Sequence, residues 1–313
     1  MFFRSLTFFR FPVQQDLTAL EEQVQHALLR PVGPLEMCTR GFISPFGREE
    51  QDATFVHRYS DFIWLTLGSE EKLLPASVLN DMLARQYAEL EQTQGRRPSG
   101  RDRVQLKEAL LHELMPKALV KQARIDAMID LCHGYIAIDS SSRKLAETLI
   151  SEIRGVLGSF PALPLSAEAI PRAILTGWIA GQPLPEPMEL GYECELKDPV
   201  DQASVVKCQN HALRSEEIDK HLEAGKQVSK LALRLGEDIA FVLGDDLVVR
   251  KLKFLDDVLN QLDDTGPDNR RMELDTQFVL MTAQIRRLFL LIQSQFKVSQ
   301  IDAPDLSQNR SAA

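Results

Sequence analysis

The residues best placed to do chemistry in this chain are cations spaced two or four apart on strand-like segments. Between 226 and 234, Lys226, Lys230 and Arg234 share one face of an extended segment, because strand side chains alternate with a period of two. Leu231 and Leu233 fall on the other face. Two strands later Lys251 and Lys253 share a face, with Arg250 beside them, while Leu252 and Phe254 oppose them. A meander of such strands presents an apolar side to the core and a basic side either to water alone or to a polyanion. The nearby acids lie on a helix (Glu216, Glu217, Asp219) or at turns (Glu237, Asp245), and are expected off the basic face. A second basic cluster comprises Arg96, Arg97, Arg101, Arg103, Lys107, Lys117, Lys121 and Arg124, against Asp102, Glu108 and Glu113. Cations on a regular scaffold, without interleaved aromatics or a recognition helix, suit phosphate contacts rather than base reading. Sequence-independent binding to duplex DNA is the expectation, with single strands a second possible ligand.

Catalytic readings find less support. The pairs Asp245-Asp246, Asp256-Asp257 and Asp263-Asp264 could hold metal ions for a nuclease, or could be a hairpin turn and a solvated helix face. Gly225-Lys226 resembles the end of a phosphate-binding loop, but Lys220 stands where the upstream glycine belongs and Gln227 replaces the magnesium-binding hydroxyl. The six histidines are scattered, and Cys38, Cys132, Cys194 and Cys208 form no CxxC pair. No catalytic residue, metal ligand or cofactor is therefore expected, and the cysteines read as free thiols in a reducing compartment. A protein-interaction scaffold, with the basic arm docking an acidic partner, is a further alternative.

The chain has 313 residues, 44% of them hydrophobic and 26% charged, so it can bury a sizeable core. Its net charge of -9 argues against a polyanionic partner only if the charge is evenly spread. Acids concentrate at Glu21-Glu22, Glu49-Glu50 and Asp256–Asp275, away from the cations. The apolar opening at 1–11 is interrupted by Arg4 and Arg10 and lacks a cleavage site, so it reads as a strand over 2–12 rather than a signal peptide. No stretch reaches the roughly 20 apolar residues of a membrane span; a cytoplasmic protein is expected.

The pattern predicts an α+β fold. Strands are expected over 36–44 and 54–67, followed by helices from Pro75 and over 103–121, which form a projecting αα-hairpin around the turn at 95–101. A β-hairpin at His133-Gly134 and a helix from Arg143 to Leu157 follow. Further strands are expected over 188–196, 203–209, 226–234, 238–243 and 247–254, then a helix over 275–295. These group into a central α+β region (1–75 and 125–180), a helical arm (76–124), a strand-rich C-terminal lobe with a terminal helix (181–297) and a disordered tail (298–313).

The run from Glu216 to Leu233, EEIDKHLEAGKQVSKLAL, closely resembles a signature of the RdgC family of recombination-associated proteins. Further matches follow the family order: Lys72–Pro75, Leu111–Ala118, Leu157–Ser159, Arg250–Phe254 and Asp275–Thr282. The resemblance implies crescent-shaped, multi-lobed subunits pairing at both ends into a ring-shaped homodimer with a basic hole for duplex DNA. It also implies negative modulation of RecA-promoted recombination, nucleoid association and no catalysis. Lys226 matches a family lysine implicated in DNA binding. Another family lysine aligns with Asn210, and Lys207, three residues earlier, is the candidate substitute. The arm after Pro116 matches the region that closes one end of the ring, making Leu119 and Met115 the interface candidates; Leu119 replaces a phenylalanine of the family's model member.

Overall fold

In the computed structural model the described residues are 2–47, 54–201, 203–259 and 270–299. The tail expected to be disordered falls outside them from residue 300 onward, as do Glu49-Glu50 and Asp263-Asp264. In chain order the elements begin with β1 (Thr7–Arg10), α1 (Leu20–Gln25), β2 (Cys38–Ile43), β3 (Val56–Tyr59), β4 (Phe62–Leu73), α2 (Ala76–Gln94) and α3 (Gly100–Leu114). Then come β5 (Leu119–Asp130), β6 (Tyr135–Ile138), α4 (Arg143–Leu157), β7 (Leu163–Pro164) and α5 (Pro171–Ile179). The remainder is β8 (Met188–Lys197), β9 (Val205–Gln209), α6 (Glu216–Glu223), β10 (Gln227–Leu235), β11 (Ile239–Gly244), β12 (Val249–Phe254), α7 (Asp256–Leu259) and α8 (Arg270–Phe296). The fold is α+β, as expected. Among the described residues no helix is long and apolar enough to cross a membrane.

The strands form two antiparallel sheets. The first runs β2-β4-β5-β6-β1-β7, with β3 also on β4; the second runs β12-β11-β10-β8-β9. The expected strand over 54–67 is two strands. Tyr59 pairs with Phe62 across a two-residue turn in which Ser60 takes φ +50°, and β4 then continues to Leu73 along the whole of β5. The expected first strand is also divided. Leu6 exchanges backbone hydrogen bonds with Val249 at the edge of the second sheet, and Thr7–Arg10 then pairs with β6 in the first.

Both faces of the first sheet are buried. On one, Ile63, Leu65, Ile129, Ile136 and Ile138 meet Leu149, Ile150 and Ile153 of α4 and Leu20 of α1. On the other, Trp64 stacks on Phe278 and Tyr135 on Phe289 of α8. That second core continues into the apolar face of the second sheet through Leu231, Leu233, Phe241 and Leu252. Asp130, wholly buried at the first sheet, accepts two hydrogen bonds from Arg286 of α8, at 2.7 and 3.0 Å. The second sheet thus has one buried face, and its opposite face carries the candidate site.

In the arm, α3 starts at Gly100, three residues earlier than expected. Ser99 and Asp102 form a reciprocal capping box, which recruits Gly100–Asp102 into the helix rather than the turn. Pro116 then closes it with a 3-10 turn over Met115–Lys117. Consequently Leu119 and Lys121 lie on β5 instead of the expected helix, and Arg124, grouped with the arm, lies on the same strand.

Candidate nucleic-acid interface

The outer face of the second sheet follows from alternation on β10 and β12. Leu231, Leu233 and Leu235 are buried, leaving Lys230, Ala232 and Arg234 on the outer side. On β12, Leu252 and Phe254 are buried while Lys251 and Lys253 are exposed. The expected pairing of Lys226 with this stripe fails as a matter of register. A β-bulge between Val228 and Lys230 inserts Ser229, so the period-two count from 226 to 230 does not hold. Lys226 sits in the turn after Gly225, before β10, where its Nζ donates to Ser204 Oγ at 2.5 Å.

The expectation that acids stay off this face is also corrected. The neighbour of β10 is β8, which brings Glu193 and Glu195 among the lysines. Glu195 accepts from Lys230 Nζ at 3.0 Å and Ser229 Oγ at 2.9 Å, with Lys197 Nζ at 3.3 Å and Lys207 Nζ at 3.8 Å. Burial would raise its pKa, but the hydrogen bonds from Lys230, Ser229 and Lys197 outweigh it and hold the carboxyl down at about 2. Lys251 pairs with Glu193 at 2.6 Å, Arg234 with Glu237 at 2.6 Å, and Arg250 with Asp246 through both terminal nitrogens. Lys253 has no acid within ion-pair distance among the described residues.

Between these side chains lies an open groove of 570 Å³, floored by Ala232, Ala240 and Val242 and rimmed by Arg234, Lys251 and Lys253. A smaller hollow of 250 Å³ adjoins it, bounded by Glu195, Lys207, Lys230 and Arg250. The structure therefore brings together Lys207, Lys230, Arg234, Arg250, Lys251 and Lys253. It adds Lys197, Glu193, Glu195 and Tyr192, which sequence reasoning passed over.

The arm set is separate and partly self-neutralised. Arg96 pairs with Asp102, Arg97 with Glu91 and Lys117 with Glu113, while Arg103 lies 5.7 Å over the Tyr87 ring. Arg101 is exposed on α3, and Lys121 is exposed opposite Glu71 on the β4–β5 ribbon. Arg124 is structural, reaching the buried Asp126 at 2.5 Å and the Pro45 carbonyl. Of the interface candidates, Leu119 is 76% exposed, whereas Met115 is 7% exposed and is buried within the chain.

Among the described residues the acidic side chains do not gather as a metal centre. Asp245 is held by Arg172 at 2.5 Å and Asp246 by Arg250, and no group of three or more potential ligands occurs among the described residues.

A family model described as "Putative exonuclease, RdgC" matches residues 1–299. The chain belongs to the RdgC family. Two proteins named "Recombination-associated protein RdgC" are each 60% identical to it. That of Xanthomonas campestris pv. campestris aligns over 303 residues, 97% of this chain and all of the relative. That of Xanthomonas oryzae pv. oryzae aligns over 302 residues, 96% of this chain and again all of the relative. A third so named, from Stenotrophomonas maltophilia, is 59% identical over 302 residues, 96% of this chain and all of its own length. The RdgC signature read in the sequence corresponds to α6, the Gly225 turn at φ +87°, and most of β10, with Ile218 buried beneath.

Proposed function

We propose that this RdgC-family protein binds DNA without sequence preference through the outer face of its second sheet. The observation that carries the reading is the gathering of Lys207, Lys230, Arg234, Arg250, Lys251 and Lys253 around a groove floored by small side chains. Ammonium and guanidinium groups on a rigid sheet contact phosphates and ignore base order. In this reading the subunit is a crescent that closes with a second copy into a ring around duplex DNA. The exposed apolar tip of the β4–β5 ribbon, with Leu73 opposite Leu119, supports a subunit contact there. Occupying duplex in the nucleoid, the ring restrains RecA-promoted recombination.

The reading favours binding over cleavage, supported by the engagement of Asp245 and Asp246 by arginines. Gel shifts of plasmid and linear duplex over a range of salt test the reading. A shift at low salt that fades with a slope near -0.9 per neutralised phosphate is expected. Absence of a shift at low salt would overturn it and leave a protein-docking role. Magnesium-dependent digestion of the linear duplex would replace it with the exonuclease activity in the family model's description.

A further inference from the structure

The register of β8 against β10 contains a second irregularity, distinct from the one at Ser229. Leu231 faces Cys194 and Leu233 faces Leu190, so residues 191–193 stand opposite Ala232 alone. Leu190 and Cys194 both pack toward the core. Unbroken alternation would send Tyr192, midway between them, to the same side. The extra residues turn it outward instead, and it is 64% exposed at the groove. Gly191 makes the turn possible: a Cβ there would lie 2.8 Å from Ala232 Cβ. The Tyr192 carbonyl accepts from His211 N–H at 3.3 Å, tying the bulge to the segment after β9.

The surroundings of the phenol ring are specific. Arg234, Lys251 and Lys253 line the groove, and Gln209 and Asn210 also line it. An exposed aromatic face beside a cationic rim is the combination that binds unpaired strands: the cations follow the phosphates while a base stacks on the ring. Amide side chains carry both donors and acceptors, so they can meet the edge of any base. A duplex cannot use the ring, because its bases are already stacked on one another.

We propose that Tyr192 is a stacking platform for an unpaired nucleobase, which makes the groove a single-strand site within the DNA-binding face. The inference rests on the proposed DNA-binding role but makes a separate demand. The test uses the full chain, a thymine-rich oligonucleotide with one 2-aminopurine, and a duplex of the same length. Tyr192→Ala should weaken single-strand binding by about 5- to 150-fold, the range for loss of one base–aromatic stack. It should abolish the quenching of 2-aminopurine, cost duplex affinity several-fold less than single-strand affinity and leave the melting temperature unchanged, while Tyr192→Phe retains both single-strand binding and quenching. Equal losses on single strand and duplex, or no loss on single strand, would overturn the platform. Duplex binding with single-strand affinity indifferent to Tyr192 sinks this inference and spares the duplex reading. Tyr192-dependent single-strand binding without any duplex binding does the reverse, and binding to neither DNA ends both.

Discussion

Lys253 and Lys230 have the same charge on the same sheet face, yet they should answer differently to salt. Lys253 is exposed and has no acid in reach among the described residues, so its ammonium can neutralise a phosphate directly. Lys230 is held at 3.0 Å from Glu195 and must leave that carboxylate before it can do so. Each phosphate neutralised contributes about 0.9 to the slope of log affinity against log salt. Lys253→Gln should therefore flatten the slope by about 0.9 for each subunit that engages DNA. Between about 50 and 200 mM salt this removes about 3.5-fold of the salt dependence, or about 12-fold where both copies of a two-fold dimer engage. Lys230→Gln should change the slope by less than half as much. Fluorescence anisotropy with a labelled duplex at several salt concentrations measures both. A larger slope change in the Lys230 variant than in the Lys253 variant would refute the argument that internal pairing decides which cations contact phosphate.

Glu195 supplies a pH test. Its carboxyl is depressed from 4.5 to about 2 in the folded protein, so its contribution to stability is present above 4.5 and is lost as pH falls toward 2. Wild type should lose more stability across that window than Glu195→Gln; parallel denaturation curves would contradict the lysine cluster. Arg286→Met removes both guanidinium hydrogen bonds from the buried Asp130 carboxylate and leaves it only the His133 contacts, so chemical denaturation should show a loss of up to about 3–5 kcal/mol, reduced when Asp130→Asn is added. If the double variant is no more stable than the single, the ion pair is not what couples α8 to the first sheet. Leu119→Glu places a charge on the apolar ribbon tip and should shift the assembly to a smaller species by light scattering. An unchanged mass removes Leu119 from the subunit contact.

Local signals explain why much of this fold was readable in the residues. Helix α4 occupies the expected 143–157 because Ser142 caps it and Leu149, Ile150 and Ile153 mark one face. The β10–β12 meander was legible because alternation and the Gly244-Asp245-Asp246 turn are both local. Non-local pairing was not. Glu193 and Glu195 reach the lysines only because β8, more than thirty residues upstream, is the sheet neighbour of β10. The alternation of 189, 193 and 195 carried a faint trace of an acidic face, but nothing assigned it a partner strand. Tyr192 was hidden for a related reason: the bulge reverses the side that periodicity gives it. Ser99 was the opposite case, a local capping signal with Asp102 that was present in the sequence but read as part of a turn.

The net charge of -9 becomes less of an objection to DNA binding once the acids are located. Asp130, Asp245, Asp246, Glu193 and Glu195 are each held by a cation, and Asp130 and Glu195 are also buried. A carboxylate fixed beneath ammonium groups repels an approaching phosphate less than a free one, because the cations stand between them. The same pairing limits how many lysines can neutralise phosphates, so a count of basic residues overstates the electrostatic contribution to affinity. In the proposed reading, what the outer face offers DNA directly is Lys253, on a frame whose other cations are paired with acids of the same surface. If the proposed binding holds, it depends on the shape of the groove and on pairing with a second copy more than on total charge, so a net negative chain is no obstacle to it.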